Sequence, residues 1–221
     1  LRGAAFAVAG EALAAIDALG RLTRALEREG IPSLAWKGPA LAMVAWDDPA
    51  ARSFADIDVV VRPGDRPRAR AIARELGWRS PHAMSSAQEE AIFGGLAAWE
   101  LERAGGPRLL ELHWEFSAKR YAGRLGVAEV LARSDSIRLG GARVRVPSDA
   151  DTLVLLAQHA TKHGWSTLED VAVFAAVARR APDAMAVALE RATPVGGRRA
   201  LLLGARLAEC TFDLAIPNAV A

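Results

Sequence analysis

The segment Arg52–Val61, "RSFADIDVVV", decides how the chain is interpreted. Its second half is rich in β-branched residues and predicts a buried strand. In a strand, residues two apart point to the same face, so Asp56 and Asp58 converge at one end of it. Two like charges side by side are unfavourable unless a cation lies between them. The segment therefore predicts a Mg²⁺ or Mn²⁺ site, since these ions prefer oxygen ligands, or else a turn with surface acids.

Composition and charge narrow the classes of protein to consider. The 221 residues are 52% hydrophobic and 24% charged, which is typical of a globular protein with its own core. The net charge of +2 is too small to indicate a nucleic-acid partner. Cys210 is the single cysteine, which favours a reducing, cytoplasmic compartment and excludes a cysteine-based zinc site. No apolar run approaches the roughly 18 residues of a membrane span. Because the chain begins at Leu1, we expect residues to be missing before it.

The order of predicted elements indicates an α/β part followed by a helical part. Hydrophobic spacing predicts alternating helices and strands in the N-terminal part, and further strands in the middle. A hairpin turning at Gly140-Gly141 comes next, and Ser148 is a natural cap for the first of four C-terminal helices. We therefore predict domains over residues 1–147 and 148–221. The predicted elements are helices over 4–29, 39–46 and 63–77, and strands over 31–36, 56–62, 90–93, 97–103, 108–116 and 136–148.

Other charged residues can complete a site around the two aspartates. Glu111 lies in the apolar strand "LLELHWEF", where a carboxylate needs a partner. As a third acid beside Asp56 and Asp58, it would supply the carboxylates that two-metal phosphoryl transfer needs to hold its ions. The alternative is that Glu111 forms a salt bridge with an arginine. The preceding strand ends in Lys37-Gly38, where the lysine either reaches a phosphate or is a solvated surface residue. Arg52, with Ser53 beside it, either orients a carboxylate or contacts phosphate.

Three histidines have open roles. His113 shares a strand face with Glu111, so it orients that acid, contacts substrate or fills a structural position. His159 and His163 share one helix face, but the glutamate of a zinc-protease motif is missing between them. We prefer a role for His159, Lys162 and His163 in a nucleotide pocket.

These motifs, in this order, resemble an uncharacterised nucleotidyltransferase family related to the polymerase-β-type superfamily. The segments that carry the resemblance are "LAWKGPALA", "RSFADIDVVV", "LLELHW", "HATKHGW" and "LEDVAVF". Members of that family occur, among other places, beside lasso-peptide biosynthetic genes. The resemblance spans about residues 31–175. Pro39 and Ala40 depart from looser relatives, which have a glycine and a threonine at those positions.

The resemblance implies an α+β fold with a mixed-sheet core. It implies that Asp56 and Asp58 bind Mg²⁺ carrying an NTP, and that Glu111 binds metal or activates the acceptor hydroxyl. Lys37-Gly38 takes the place of the superfamily's phosphate-contacting turn. The expected activity is transfer of NMP from an NTP, such as ATP, to a hydroxyl of a peptide, protein or small molecule.

Two other interpretations remain open at this point. A D-x-D pair also marks glycosyltransferases that use a sugar nucleotide and Mn²⁺. A catalytically inactive, antitoxin-like partner-binding module is the non-enzymatic alternative. Preference for an NTP over a sugar nucleotide separates the first alternative, and failure to bind Mg²⁺ with nucleotide would favour the second.

Overall fold

A computed structural model describes residues 2–52, 54, 56–81, 84–85, 87–88, 91, 96–103, 109–118, 121 and 124–215 of the chain, and side chains from residue 10 onward. The chain divides into two compact units. The first comprises Leu1–Glu115 and Ser134–Val146, and the second comprises Phe116–Arg133 and Pro147–Ala221. The predicted division at residue 147 stays a prediction from patterning. No helix in the described part is long and apolar enough to cross a membrane.

The first unit is an α+β structure built on a four-stranded mixed sheet. Its strands run in the order β1-β2-β4-β3, in which β2 and β4 are parallel and the outer pairs are antiparallel. A separate two-stranded hairpin, β5–β6, completes the unit. The elements are α1 (Arg2–Arg28), β1 (Ser33–Ala35), α2 (Gly38–Trp46), β2 (Asp56–Val61), a 3-10 turn (Pro63–Asp65), α3 (Arg66–Glu75), β3 (Ala98–Glu102), β4 (Leu109–His113), β5 (Asp135–Leu139) and β6 (Ala142–Val146).

Apolar and polar residues alternate along the strands, so the sheet has one apolar and one polar face. On the apolar face lie buried residues of all three long strands, among them Ile57, Val59, Leu110, Leu112 and Trp99. Helix α1 packs against β1, β2 and α3 within this unit. Burying these side chains contributes roughly 1.5–3 kcal/mol each before the cost of ordering the chain. The opposite face therefore carries the polar residues of the same strands.

The second unit is helical. Its helices are α4 (Val127–Ala132), α5 (Asp149–Lys162), α6 (Leu168–Arg180), α7 (Ala184–Ala192) and α8 (Arg198–Phe212). Helix α5 packs against α6, α7 and α8, and its buried stripe includes Leu153 and Ala157. The Ser148 hydroxyl accepts a hydrogen bond from the backbone N–H of Asp151, which confirms the predicted cap.

Most predicted elements are confirmed, with two differences. The short helix α4 has no counterpart among the predicted elements, because its six residues are too few to show a helical period. The strand predicted over 90–93 lies outside the described residues except at Ala91, which is helical, so the prediction is wrong at that residue. The hairpin turns at Gly140 and Gly141, as expected, and both have positive φ.

Candidate active site

The parallel pairing of β2 and β4 brings the predicted acids together. Asp58 lies opposite Glu111 in the register, and Val60 lies opposite His113. Residues opposite one another share a face, so Asp56, Asp58, Glu111 and His113 all belong to the polar side of the sheet. Two segments some fifty residues apart in the chain thus supply one cluster.

Asp58 is the centre of that cluster. Its side chain is fully buried, and its Oδ1 lies 3.0 Å from Lys37 Nζ and 2.9 Å from His113 Nε2. Burial acts to raise the pKa of Asp58, but the hydrogen bond with His113 and the charge of Lys37 outweigh it and lower the pKa. Asp58 is therefore a carboxylate. Its second oxygen, Oδ2, is buried and accepts no hydrogen bond from the described residues.

His113 links the two acids. Its Nε2 lies 2.9 Å from Asp58 Oδ1 and 3.0 Å from Glu111 Oε2, so one N–H is shared between two carboxylates. Burial acts to lower the pKa of His113, but the hydrogen bonds with Asp58 and Glu111 raise it above its ordinary value. Among the described residues, the partner of Glu111 is His113, whereas the alternative interpretation had it pair with an arginine. This position allows His113 to orient the acids, one of the roles predicted for it, and that role stays a prediction.

Asp56 belongs to the same electrostatic group but not to its tightest part. Among the described residues, the ligand atoms that lie within 4.8 Å of one another come from Asp58, Glu111 and His113. Burial, and then the charge of Asp58, raise the pKa of the half-buried Asp56, whereas Lys37 lowers it. The charge of Asp58 acts on Asp56, as expected for two acids two residues apart on one strand face.

The Lys37-Gly38 turn lies directly against β2. Lys37 is the residue before α2, and the backbone N–H of Trp36 donates to Asp58 O at 3.1 Å. Gly38 has φ +56°, and a Cβ there would lie 3.1 Å from Asp56 O. Burial acts to lower the pKa of Lys37, but Asp58 and Glu111 raise it, so the lysine is charged. The glycine lets the turn approach the strand, and the turn delivers the ammonium group to Asp58.

The other predicted site residues lie elsewhere or outside the described part. Arg52 is half-buried in the bend before β2, and Ser53 is outside the described residues. His159, Lys162 and His163 lie at the end of α5, in the second unit, where the two histidine rings are 4.7 Å apart. Their roles in nucleotide binding stay predictions.

The donor set fits a divalent cation. The buried carboxylate oxygen Asp58 Oδ2 has no partner among the described residues, and Glu111 places a further carboxylate oxygen within 4.8 Å of a ligand atom of Asp58. Asp56 lies on the same face of the sheet but outside this group. Carboxylate oxygens suit Mg²⁺ or Mn²⁺.

A family model provides the decisive comparison. The model described as "Uncharacterised nucleotidyltransferase" matches residues 1–213. The chain belongs to this nucleotidyltransferase family. This membership confirms the resemblance and favours nucleotidyl transfer over the glycosyltransferase interpretation. None of the curated proteins matches the chain significantly.

Solved structures agree on the fold. The chain is similar to the solution structure of the antibiotic-resistance factor ANT(2'')-Ia, with a TM-score of 0.55 and 14% identity over 88% of this chain and 94% of that one. It is also similar to the crystal structure of ANT(2'')-Ia in complex with adenylyl-2''-tobramycin, with a TM-score of 0.53 and 15% identity over 88% and 97%. At such identities the similarity shows a shared fold, a nucleotidyltransferase core with a mixed sheet followed by helices.

The sequence left the role of His113 open and did not predict the ion pair between Lys37 and Asp58. The signal for His113 was present, since it lies two residues after Glu111 and must share its face. The Lys37–Asp58 ion pair depends on the tight approach of a turn to a strand, and no sequence spacing reports it.

Proposed function

We propose that this protein transfers NMP from an NTP to a hydroxyl acceptor in a reaction that depends on Mg²⁺ or Mn²⁺. The observation that carries the proposal is the buried carboxylate of Asp58, next to Glu111 on a parallel strand and to the ammonium group of Lys37. Family membership supports the reaction class. The metal dependence, the roles of the site residues and the acceptor are part of what we propose.

In the proposed reaction the acceptor oxygen attacks the α-phosphorus of the NTP. A new O–P bond forms as the bond to the oxygen bridging the α- and β-phosphates breaks, and pyrophosphate leaves. Glu111, which is partly exposed, takes the proton of the hydroxyl. Bound divalent cations would supply positive charge that offsets the developing charge on the phosphate oxygens.

Other residues have supporting roles in the proposal. Asp56, Asp58 and Glu111 hold the cations, and His113 fixes the spacing of the last two. Lys37 and the backbone of Gly38 contact the triphosphate, and Arg52 and Ser53 lie in the loop before β2. His159, Lys162 and His163, in the second unit, are further proposed nucleotide-binding residues.

The proposed reaction requires that the acceptor carry a hydroxyl group. A peptide, a protein side chain or an antibiotic each carries a suitable hydroxyl. The complex of ANT(2'')-Ia with adenylyl-2''-tobramycin makes an antibiotic one acceptor to test. Peptides are another, which also addresses the predicted association with lasso-peptide biosynthesis. Use of an NTP is consistent with a cytoplasmic setting.

A transfer assay tests the proposal. The protein is incubated with each α-labelled NTP, Mg²⁺ and a panel of hydroxyl acceptors, and label transfer and pyrophosphate are both measured. We expect Asp58→Asn and Glu111→Gln to lower transfer at least about 100-fold, because each removes charge that acts on the transition state. Asp135→Asn, an exposed acid on β5, is the matched control and should retain activity.

The folded state of each variant is checked by its circular dichroism spectrum. If folded Asp58→Asn transfers label at the wild-type rate, the assignment of the site is wrong. If no NTP is used with any acceptor and none binds with Mg²⁺, the inactive-module interpretation replaces the proposal.

A further inference from the structure

A cavity of about 270 Å³ lies within the second unit, between the end of α5 and the start of α8. Lys162 and Thr161 line it from α5, and Arg199 lines it from the first turn of α8. Tyr121 adds a phenol group to the lining. None of the described residues lining this cavity is acidic, so its charged groups are all cations.

The two cations at this cavity have no acidic partner among the described residues. Lys162 and Arg199 are exposed, and neither forms an ion pair with another residue in the described part of the chain. Elsewhere in the same unit the arginines that face α5 are paired, since Arg133 and Arg191 both bind Asp151. The cavity is therefore a local concentration of positive charge.

The position of Arg199 adds to that charge. It follows Arg198 in the first turn of α8, where no acidic residue occurs and no side chain caps the helix. The amino end of a helix carries partial positive charge, so cations there are unfavourable unless an anion lies nearby. A segment that violates this local rule at the wall of a cavity is expected at a binding site.

We propose that this cavity is an oxyanion site that takes a phosphate or carboxylate group. The ammonium of Lys162 supplies a point charge and the guanidinium of Arg199 supplies a planar fork of donors. The hydroxyl groups of Tyr121 and Thr161 and the amide of Gln158 are uncharged polar groups that line the same cavity. A polycationic acceptor is disfavoured at this site by the same charges. The anion belongs either to the nucleotide or to an acidic acceptor.

Titration of the metal-free protein with inorganic phosphate, followed by backbone amide NMR, tests the site without reference to catalysis. Potassium chloride at equal ionic strength is the blank. We expect saturable shifts at Gly197, Arg199 and Ala200, and a roughly tenfold weaker affinity in Lys162→Gln and in Arg199→Gln, the factor for one charge-assisted hydrogen bond. Arg198→Gln is the matched control, because Arg198 does not line the cavity, and it should retain the affinity within about twofold.

Two results overturn the site. One is the absence of saturable shifts at these amides, and the other is an equal loss of affinity in Arg198→Gln, which would show a diffuse charge effect. Amide spectra of the variants confirm that they are folded. Metal-free ATP and citrate are then added separately to identify which molecule supplies the anion. Displacement of inorganic phosphate by ATP assigns the site to the nucleotide. Displacement by citrate but not by ATP assigns it to an acidic acceptor.

Discussion

At the scale of single residues, Asp58 organises the candidate active site because it is a buried carboxylate held by two cationic groups. Lys37 Nζ and His113 Nε2 both bind its Oδ1, at 3.0 and 2.9 Å. A buried charge is stable only when it is paired in this way. The same pairing keeps the group ionised, which is the state that a metal ligand needs.

The raised pKa of His113 predicts a pH dependence of stability in the metal-free protein. The ordinary value is 6.5, and the folded state raises it. The histidine therefore contributes stability that is fully present below pH 6.5 and is lost as the pH rises through the raised value. Urea denaturation in the presence of a chelator should show the free energy of unfolding falling over that window.

The variant His113→Gln is expected to lack this pH dependence, while an exposed histidine variant, His163→Gln, should keep it. An unchanged slope in folded His113→Gln would contradict the assignment of the pKa to this residue.

Gly38 gives a second test at this scale. Its φ is +56°, and a Cβ at this position would lie only 3.1 Å from Asp56 O, so both the backbone and the space around it oppose a side chain. We expect Gly38→Ala to lower the free energy of unfolding by about 1–2 kcal/mol, as for a left-handed residue with a Cβ. Gly64→Ala, where a Cβ has open space and φ is not positive, should change it by less than about 0.5 kcal/mol. Chemical denaturation measures both, and equal effects would be evidence against a strained Lys37-Gly38 turn.

At the scale of elements, Asp151 joins three segments of the second unit. It is fully buried in the first turn of α5 and receives two hydrogen bonds from Arg133, at 2.6 and 2.9 Å, with Arg191 at 3.1 Å. Removing one member of such a buried network leaves charges unpaired. The start of α5 is thus fixed both by the Ser148 cap and by this network.

We expect Asp151→Asn to lower the free energy of unfolding by about 3 kcal/mol, because two partly buried arginines lose their carboxylate. Asp149→Asn, in the same turn, is the matched control. Asp149 is partly exposed and pairs with Arg180, so its loss should cost less than about 1 kcal/mol. Guanidinium denaturation of the two variants measures the difference, and similar values would show that burial of the network is unimportant.

The sequence patterns predicted most of the helices and strands but not how the strands pair with one another. The valines after Asp58 predicted β2, and Ser148 predicted the start of α5. The parallel pairing that sets Asp58 opposite Glu111 depends on contacts between distant segments. The alternation within a strand fixes the face on which a residue lies, but it does not identify the residue opposite on the neighbouring strand. The proposed role of Arg199 was not predicted for the same reason. Only the fold places Arg199 beside Lys162 of α5 at one cavity.

At the scale of the whole molecule, the chain combines a mixed-sheet unit with a helical unit and belongs to a nucleotidyltransferase family. The small net charge of +2 conceals an uneven distribution. Carboxylates gather on the polar face of the sheet, and cations line the cavity in the helical unit. Each of the two proposed sites thus lies where charge of one sign is concentrated within its own unit.

The central claim is that the cluster around Asp58 binds a divalent cation. Substoichiometric Mn²⁺, added while backbone amide signals are recorded, should broaden the signals of residues near Asp58 and Glu111 first, because the ion is paramagnetic. Asp58→Asn should lose this local broadening, and Asp135→Asn should retain it. Broadening that is absent from these two strands in the wild type, or that persists unchanged in folded Asp58→Asn, would contradict the account.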